Sequence, residues 1–268
     1  MKLAFSTLGT PGLPVPDVVR LAGKHGYDGV ELRAHPEEPV HPGMPPASRA
    51  AAAETFAGAG LAVLAVAGYA RVAAPGPDEP VLAELDGLVR LAGDLGASYV
   101  RVFPGAGDQP GDEADAAAAR RLGAIAPLAA DTGVRVLMET HDSHGRAQDA
   151  VRVLGPVGHG SIGALWDLLH TWLGGEEPAV SFPALAPHLG YVQVKDVGSA
   201  EDTTPVQLGT GVLPLGACVG TLSRAGWDGW LCWEYEKRWH PHVADFEQLA
   251  GPGAEYLRGL VAAAPRAR

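Results

Sequence analysis

The sequence predicts an α/β protein folded as a single (β/α)8 TIM barrel over residues 1–268, and three observations carry that expectation. A glycine followed by a short β-branched or aromatic run recurs at Gly26, Gly60, Gly96, Gly133, Gly160, Gly190 and Gly226, a period that marks a repeated supersecondary unit. Helix-like segments lie between the runs, and strands alternating with helices argue for a parallel sheet, because each parallel return needs a crossover. With an extra strand near the N-terminus there are eight units in about 260 residues, which suits a closed barrel better than an open doubly wound sheet. No G-x-G-x-x-G turn follows the first strand, as a dinucleotide fold would require.

The elements follow in order. LAFST is the first strand, PDVVRLAGKH reads as helix up to Gly26, and YDGVEL is the second strand. The Pro-rich stretch HPEEPVHPGMPP, residues 35–46, is a long loop after it. LAVLAV after Gly60 is the third strand; helical spacing from Val81 to Leu95 then leads to ASYVRV after Gly96. AAAARRLGAIAPLAADT runs to Gly133 and the fifth strand, VRVLME. SIGALWD, YVQVKD and WDGWLCWE, after Gly160, Gly190 and Gly226, complete the set. Each glycine is expected to close a helix, since the left-handed conformation just past a helix end brings glycine no Cβ clash. No linker marks a second domain.

Composition narrows the functional classes. Nearly half the residues are hydrophobic (47%), yet no run of about 18 apolar residues could span a bilayer. The start MKLAFSTLGTP has no signal-peptide pattern, so a soluble cytoplasmic protein with no membrane partner is expected. Two cysteines, Cys218 and Cys232, are too few for a disulfide scaffold, and Cys232 sits in the apolar run GWLCW, where a buried thiol fits reducing surroundings. The net charge of −11, with scattered Lys and Arg, repels phosphate backbones, so nucleic acid is not an expected partner.

In a barrel of this kind the carboxyl ends of the strands form the active face. Strand two ends there in Glu31, strand five in Glu139, strand six in Asp167, strand seven in Gln193 with Lys195, and strand eight in Glu234. Period-two alternation puts Glu139 on the face of Leu137, Gln193 on that of Tyr191, and Glu234 on that of Cys232 and Trp230. Glu139, Asp167, Gln193 and Glu234 come from consecutive strands and could surround one cation. Without it, three buried like charges would repel and desolvate, at a cost on the order of several kcal/mol each, or take up protons. All four are oxygen donors, which suits Mn2+ or Mg2+ better than zinc, with Co2+ or Zn2+ as alternatives.

The series GYDGVELR, GVRVLMETHDSH, ALWDLLHTW, YVQVKD, QLGTGVLPL and GWDGWLCWEYEKRWHP resembles the xylose isomerase-like TIM barrels of the sugar phosphate isomerase/epimerase family, over nearly the whole chain. The resemblance implies one divalent ion held by Glu139, Asp167, Gln193 and Glu234; many relatives carry histidine where Gln193 stands, which leaves the choice of metal open. It also implies that Glu139 and Glu234 exchange the substrate proton, one on each face. Proton removal beside a carbonyl leaves an enediolate, whose charge a divalent ion can offset while the carboxylates move the proton. His170 completes the family's D-x-x-H pattern with Asp167 and would polarise or orient substrate oxygens. The expected partner is a small polyhydroxylated ketone, and barrels of this family often pair as homodimers. The expected activity is a metal-dependent isomerase or epimerase; the alternative is a lyase that dehydrates an inosose- or dehydroshikimate-like substrate after the same proton abstraction, a branch some of whose members also carry glutamine at the position of Gln193. Endonuclease IV shares the fold, but its histidine-rich three-zinc site and basic face match neither Gln193 nor the acidic charge.

The remaining candidates each have a plainer reading. His141 shares the parity of Glu139 and either touches substrate or supports the site from the loop. Lys195 either contacts substrate or pairs with a rim carboxylate. Glu31 either accepts a substrate hydroxyl or pairs with Arg33 or Arg101. His144 and Asp142 read as loop, with His144 facing solvent. Trp227, Trp230 and Trp233 read as core, whereas Trp239, past Glu234, is placed to wall a pocket, beside Arg238 and His240, which could meet an anionic substituent.

Overall fold

The computed structural model describes residues 1–265. Eight strands, β1 (Lys2–Ser6), β2 (Gly29–Arg33), β3 (Ala62–Arg71), β4 (Tyr99–Phe103), β5 (Arg135–Glu139), β6 (Ile162–Asp167), β7 (Leu189–Val194) and β8 (Trp230–Trp233), close into one barrel in sequence order. All eight pairings are parallel, and β8 returns to β1 with Ala4 beside Cys232. Helices α1 (Val15–His25), α2 (Pro46–Gly58), α3 (Asp78–Leu95), α4 (Gly111–Thr132) and α5 (Ala147–Val157) form the crossovers after the first five strands. After β6 come a short α6 (Leu168–Leu173) and α7 (Pro178–Leu185), followed by α8 (Leu215–Arg224) and α9 (Phe246–Ala263). The (β/α)8 barrel expected from the repeat is therefore the fold observed. Among the described residues no helix is long and apolar enough to cross a membrane, and both cysteines are free and buried.

Two glycines of the repeat work differently from the expectation. Helix α5 closes two residues before Gly160, at Gly158, which takes the left-handed φ of 57°. Gly190 lies inside β7 and stops no helix; a Cβ there would sit 2.3 Å from Leu137 Cδ1. That close approach is needed because Leu137 belongs to the packed interior.

The interior is layered, and the layering positions the site. Ala4, Leu64, Ala65, Leu137, Leu165, Tyr191 and Cys232 form a buried plug inside the barrel, with Tyr99 and Trp230 packed against it. Period two then places the next inward residues one layer towards the carboxyl ends: Arg101 above Tyr99, Glu139 above Leu137, Asp167 above Leu165, Gln193 above Tyr191 and Glu234 above Cys232. An apolar floor thus lies directly beneath a polar, charged layer.

Outside the strands, Trp233 is fully buried against the helices, its ring 4.9 Å from that of Phe246. Burying one such side chain stabilises by roughly 1.5–3 kcal/mol. Gly253 on α9 makes room for it, since an added Cβ would lie 2.0 Å from Trp233 Cζ3. Alanine gains about 1 kcal/mol of helix propensity over glycine, but overpacking costs about 1–3 kcal/mol. Gly253→Ala is therefore expected to destabilise the fold, seen as a lower urea midpoint; an unchanged or higher midpoint would show that the ring yields freely.

Candidate metal centre

Four strand ends meet above the plug. Glu139, Asp167, Gln193 and Glu234 are each at most 4% exposed, and Glu139, Asp167 and Glu234 offer oxygens that all lie within 4.8 Å of one another. Backbone pairing brings Asp167 beside Gln193, and Glu234 N–H donates to Val194 O at 3.0 Å, which ties the end of β8 to β7. Asp167 also caps α6 by accepting from Leu169 N at 2.8 Å through Oδ1, so Oδ2 is left turned towards the cluster.

Two cations are built into the same layer. Arg101 Nε lies 3.2 Å from Glu139 Oε2, and its Nη2 lies 3.9 Å from Glu234 Oε1. Lys195 Nζ lies 2.9 Å from Asp167 Oδ2 and 2.7 Å from Glu236 Oε1, and contacts Glu234 Oε2. Burial alone would strip the Lys195 proton, but Asp167, Glu234 and Glu236 around it raise its pKa well above the lysine range. Asp167 is the converse case, with burial outweighed by Lys195 and His170 so that its carboxyl is held low.

The donor set fits a divalent ion on two independent grounds. Glu31, Glu139, Asp167 and Glu234 are four buried carboxylates facing two buried cations, Arg101 and Lys195, an excess of two negative charges. In addition, Glu139 Oε2, Asp167 Oδ2 and Gln193 Oε1 are enclosed yet have no hydrogen-bond partner; the approaches of Arg101 and Lys195 to the first two are ion pairs without hydrogen-bond alignment. Buried polar atoms are rarely left so, and three orphaned oxygens in one layer are what a cation would answer.

Burial, opposed by Arg101 but reinforced by Glu234 and Asp167, raises the Glu139 carboxyl well above its ordinary 4.5. A carboxyl raised in the folded state contributes stability below its unfolded pKa and loses it as pH rises through the folded value. In chelator, Glu139→Gln is therefore expected to be more stable than the parent near neutral pH, and the gap should close below about pH 4.5. Urea titrations across that range check this, and a gap independent of pH would sink it.

The other expected residues are placed as follows. Glu31 is buried beneath the cluster and does not pair with Arg33, which instead binds Glu38 at 2.6 Å. Glu31 accepts from the Tyr191 hydroxyl and from Gln193 Nε2, and its side chain is fully enclosed. Burial and Glu234 raise its carboxyl, against the charge of Arg101 and the hydrogen bonds from Tyr191 and Ser6. Lys195 pairs with carboxylates deep in the layer instead of at the rim. The rings of His170 and His141 lie 3.9 Å apart between centroids, tilted by 48°, beside Glu139. Burial outweighs the pull of Asp167 and lowers His170 to about 4, so it is a neutral imidazole at physiological pH.

The rim carries flat groups. Trp239, Arg33, Tyr69, Phe103, His141 and His170 follow one another at 3.9 to 5.9 Å. Trp239 is half exposed. Arg238 is drawn off to Glu37, and the His240 ring lies 6.1 Å from that of His242.

Sequence reasoning misjudged the loop after β5. His144 is 2% exposed, not solvent-facing, with Nε2 2.9 Å from Asp115 Oδ1. Asp142 has a φ of 33°, places Oδ2 3.2 Å from His141 Nδ1 and accepts from Gly105 N at 3.1 Å. It holds the His141 ring instead of idling in a loop. Arg101, weighed only as a partner for Glu31, is the main counter-charge of Glu139; its parity with Tyr99 was the available signal.

Residues 19–260 match the model of a family described as xylose isomerase-like TIM barrel. The chain is 35% identical over 98 residues to a Streptomyces coelicolor protein named "Putative hydroxypyruvate isomerase", a match spanning 37% of this chain and 33% of that protein. It thus spans about a third of that relative's length. It is 24% identical over 193 residues to a 3-dehydroshikimate dehydratase of Bacillus anthracis, covering 69% of this chain and 67% of that one. Its fold is similar to that of D-psicose 3-epimerase with D-tagatose from Clostridium cellulolyticum H10, with a TM-score of 0.83 over 97% of this chain and 99% of that one, at 15% identity.

Proposed function

Since the chain belongs to the xylose isomerase-like TIM barrel family, we propose that it is a divalent-metal-dependent isomerase or epimerase that removes the proton beside the carbonyl of a small polyhydroxylated ketone. The observation that carries this reading is the set of three buried carboxylates within 4.8 Å of one another, with unpartnered oxygens on Glu139, Asp167 and Gln193. Glu139, Asp167, Gln193 and Glu234 would hold the ion, with oxygen donors suited to Mn2+ or Mg2+. When bound, the ion would act as a Lewis acid on the carbonyl and offset the enediolate charge.

The protein's own residues do the rest. Glu139, from β5, and Glu234, from the end of β8, take and return the proton, one on each face of the substrate. Arg101 and Lys195 set positive charge against the layer, and Arg101 opposes the burial that raises the Glu139 carboxyl. Neutral His170 offers one N–H donor and one acceptor to substrate oxygens, and His141 lies against it. The flat groups from Trp239 to Phe103 suit the C–H faces of a sugar or cyclitol, consistent with the D-psicose 3-epimerase whose fold this chain shares.

A dehydratase is the second reading, favoured by Gln193 and by the 3-dehydroshikimate dehydratase relative. Proton abstraction is common to both; the difference is expulsion of a β-hydroxyl, which His141 or His170 is near enough to Glu139 to assist. Incubation of Mn2+-loaded protein with ketoses, inososes and dehydroshikimate in D2O separates them. Solvent deuterium at carbon without water loss supports the isomerase; an absorbing enone or aromatic product supports the lyase. No exchange and no product with any of them, from protein shown to contain metal, would refute both.

A further inference from the structure

We propose that Glu31, held by Tyr191, is a positioning residue that pins the Gln193 amide nitrogen, leaves the amide oxygen free for a cation, and thereby biases the centre towards oxygen-preferring divalent ions. The inference rests on the reading of the cluster as a metal centre and goes further, to how a residue beneath that centre chooses its ion.

Gln193 Nε2 lies 3.1 and 3.0 Å from the two oxygens of Glu31 and 3.2 Å from Glu234 Oε1. An amide nitrogen carries two N–H donors, and a carboxylate only accepts. The two donors therefore meet two carboxylates, whereas a flipped amide would set its oxygen against theirs. The orientation is decided by the neighbours. What remains is Oε1, enclosed and without a hydrogen-bond partner, as are Glu139 Oε2 and Asp167 Oδ2. Glu31 is in turn fixed by the Tyr191 hydroxyl, which donates to Oε2, and Tyr191 is anchored in the apolar plug. Glu31, Tyr191 and Gln193 are all fully buried, so the arrangement has no water to replace its partners.

A nitrogen ligand at this position would suit zinc; an amide oxygen suits Mn2+ or Mg2+. Glu31 therefore acts as outer partners of metal ligands generally do, by fixing which atom of the ligand is presented.

The test uses the full chain and reads Mn2+ binding by electron paramagnetic resonance of the free ion, with Zn2+ binding measured by competition. Glu31→Met removes both acceptors and should weaken Mn2+ binding about 10–100-fold, with a smaller loss for Zn2+, so that the Mn2+/Zn2+ affinity ratio falls. General loosening of the site would lower both alike. In a Gln193→Met background, Glu31→Met should bring no further loss, because the two act through one another. Glu31→Gln, with one acceptor oxygen left, keeps the shape and should fall between the parent and Glu31→Met; it carries the same test if the methionine variant does not fold. Unchanged Mn2+ affinity in a folded Glu31 variant, an unchanged ion ratio, or independent losses in the double variant would overturn the proposal while leaving the metal centre standing. Failure of the parent protein to bind either ion would overturn the metal centre and the proposal together.

Discussion

Glu139→Gln is expected to lower turnover of an accepted substrate by about 10²–10⁴-fold, the range spanned by a positioned acid–base group, while the barrel stays folded. The substitution keeps the shape of the side chain and an oxygen for the proposed ion but removes the group proposed to take the proton. Glu139 is suited to that task by its surroundings: burial raises its carboxyl, and Arg101, 3.2 Å away, opposes the rise. Proton affinity is brought up without neutralising the group outright when the ion is present. Steady-state kinetics on metal-saturated protein checks this, with circular dichroism to show the fold. A kcat within a few-fold of the parent would remove Glu139 from the mechanism, whichever product is formed.

Arg101→Met is expected to be the most destabilising single change in the site. Its guanidinium is 3% exposed in the side chain and sits between Glu139 and Glu234, donating also to Gly68 O at 3.0 Å. The charge is kept despite burial by Glu139, Glu234 and Glu31 around it. Removing one partner of a buried charge cluster leaves the others uncompensated, at about 3–5 kcal/mol. The loss should be largest in chelator and smaller in Mn2+, because a bound ion supplies positive charge to the same oxygens and stabilises the folded state by mass action. Urea unfolding under both conditions reads it. Equal losses with and without metal would mean that Arg101 is held by packing alone and does not balance the cluster.

The stability effects of Glu139→Gln and Arg101→Met share one cause, an excess of negative charge above an apolar floor, and they pull in opposite directions. Taking away a carboxylate relieves the metal-free protein, and taking away the guanidinium strains it. A site arranged only for stability would not leave carboxylates in excess of cations and three buried oxygens without hydrogen bonds. The imbalance is what stability given up at the proposed ion and substrate site would look like.

Much of the architecture could be read in the chain before folding. The repeat is a local signal: strand runs rich in Val, Leu and aromatic residues stand between helices of amphipathic spacing, and eight of them in this length imply closure. The strand-end residues were legible for the same reason, since alternation along a strand needs no knowledge of its neighbours. Leu137 in the plug requires Glu139 in the layer above, and Cys232 requires Glu234. Where the expectation slipped, the cause was a contact between distant segments. Gly190 looked like a helix stop, but the Leu137 side chain claims the space a Cβ would need. His144 looked exposed because it follows the strand by several residues, but Asp115 on α4 reaches it.

The pairing of charges shows the division most clearly. Sequence alone determined that Glu139, Asp167, Gln193 and Glu234 would stand at the carboxyl ends of their strands, because that follows from period two and from a repeat that returns every strand in the same direction; Glu31, expected there too, lies in the middle of β2. It could not determine which cation each would meet. Arg33, two residues from Glu31, turns to Glu38, and Arg101, from a strand two places round the barrel, serves Glu139 and Glu234 instead. Closing eight strands into a ring brings together residues far apart in the chain, such as Glu31 and Glu234, which are 203 positions apart. Coulomb energies fall with distances that exist only once the ring is closed. The membership of the carboxylate layer was therefore written locally, while its charge balance, its orphaned oxygens and the orientation of Gln193 were decided by the tertiary structure.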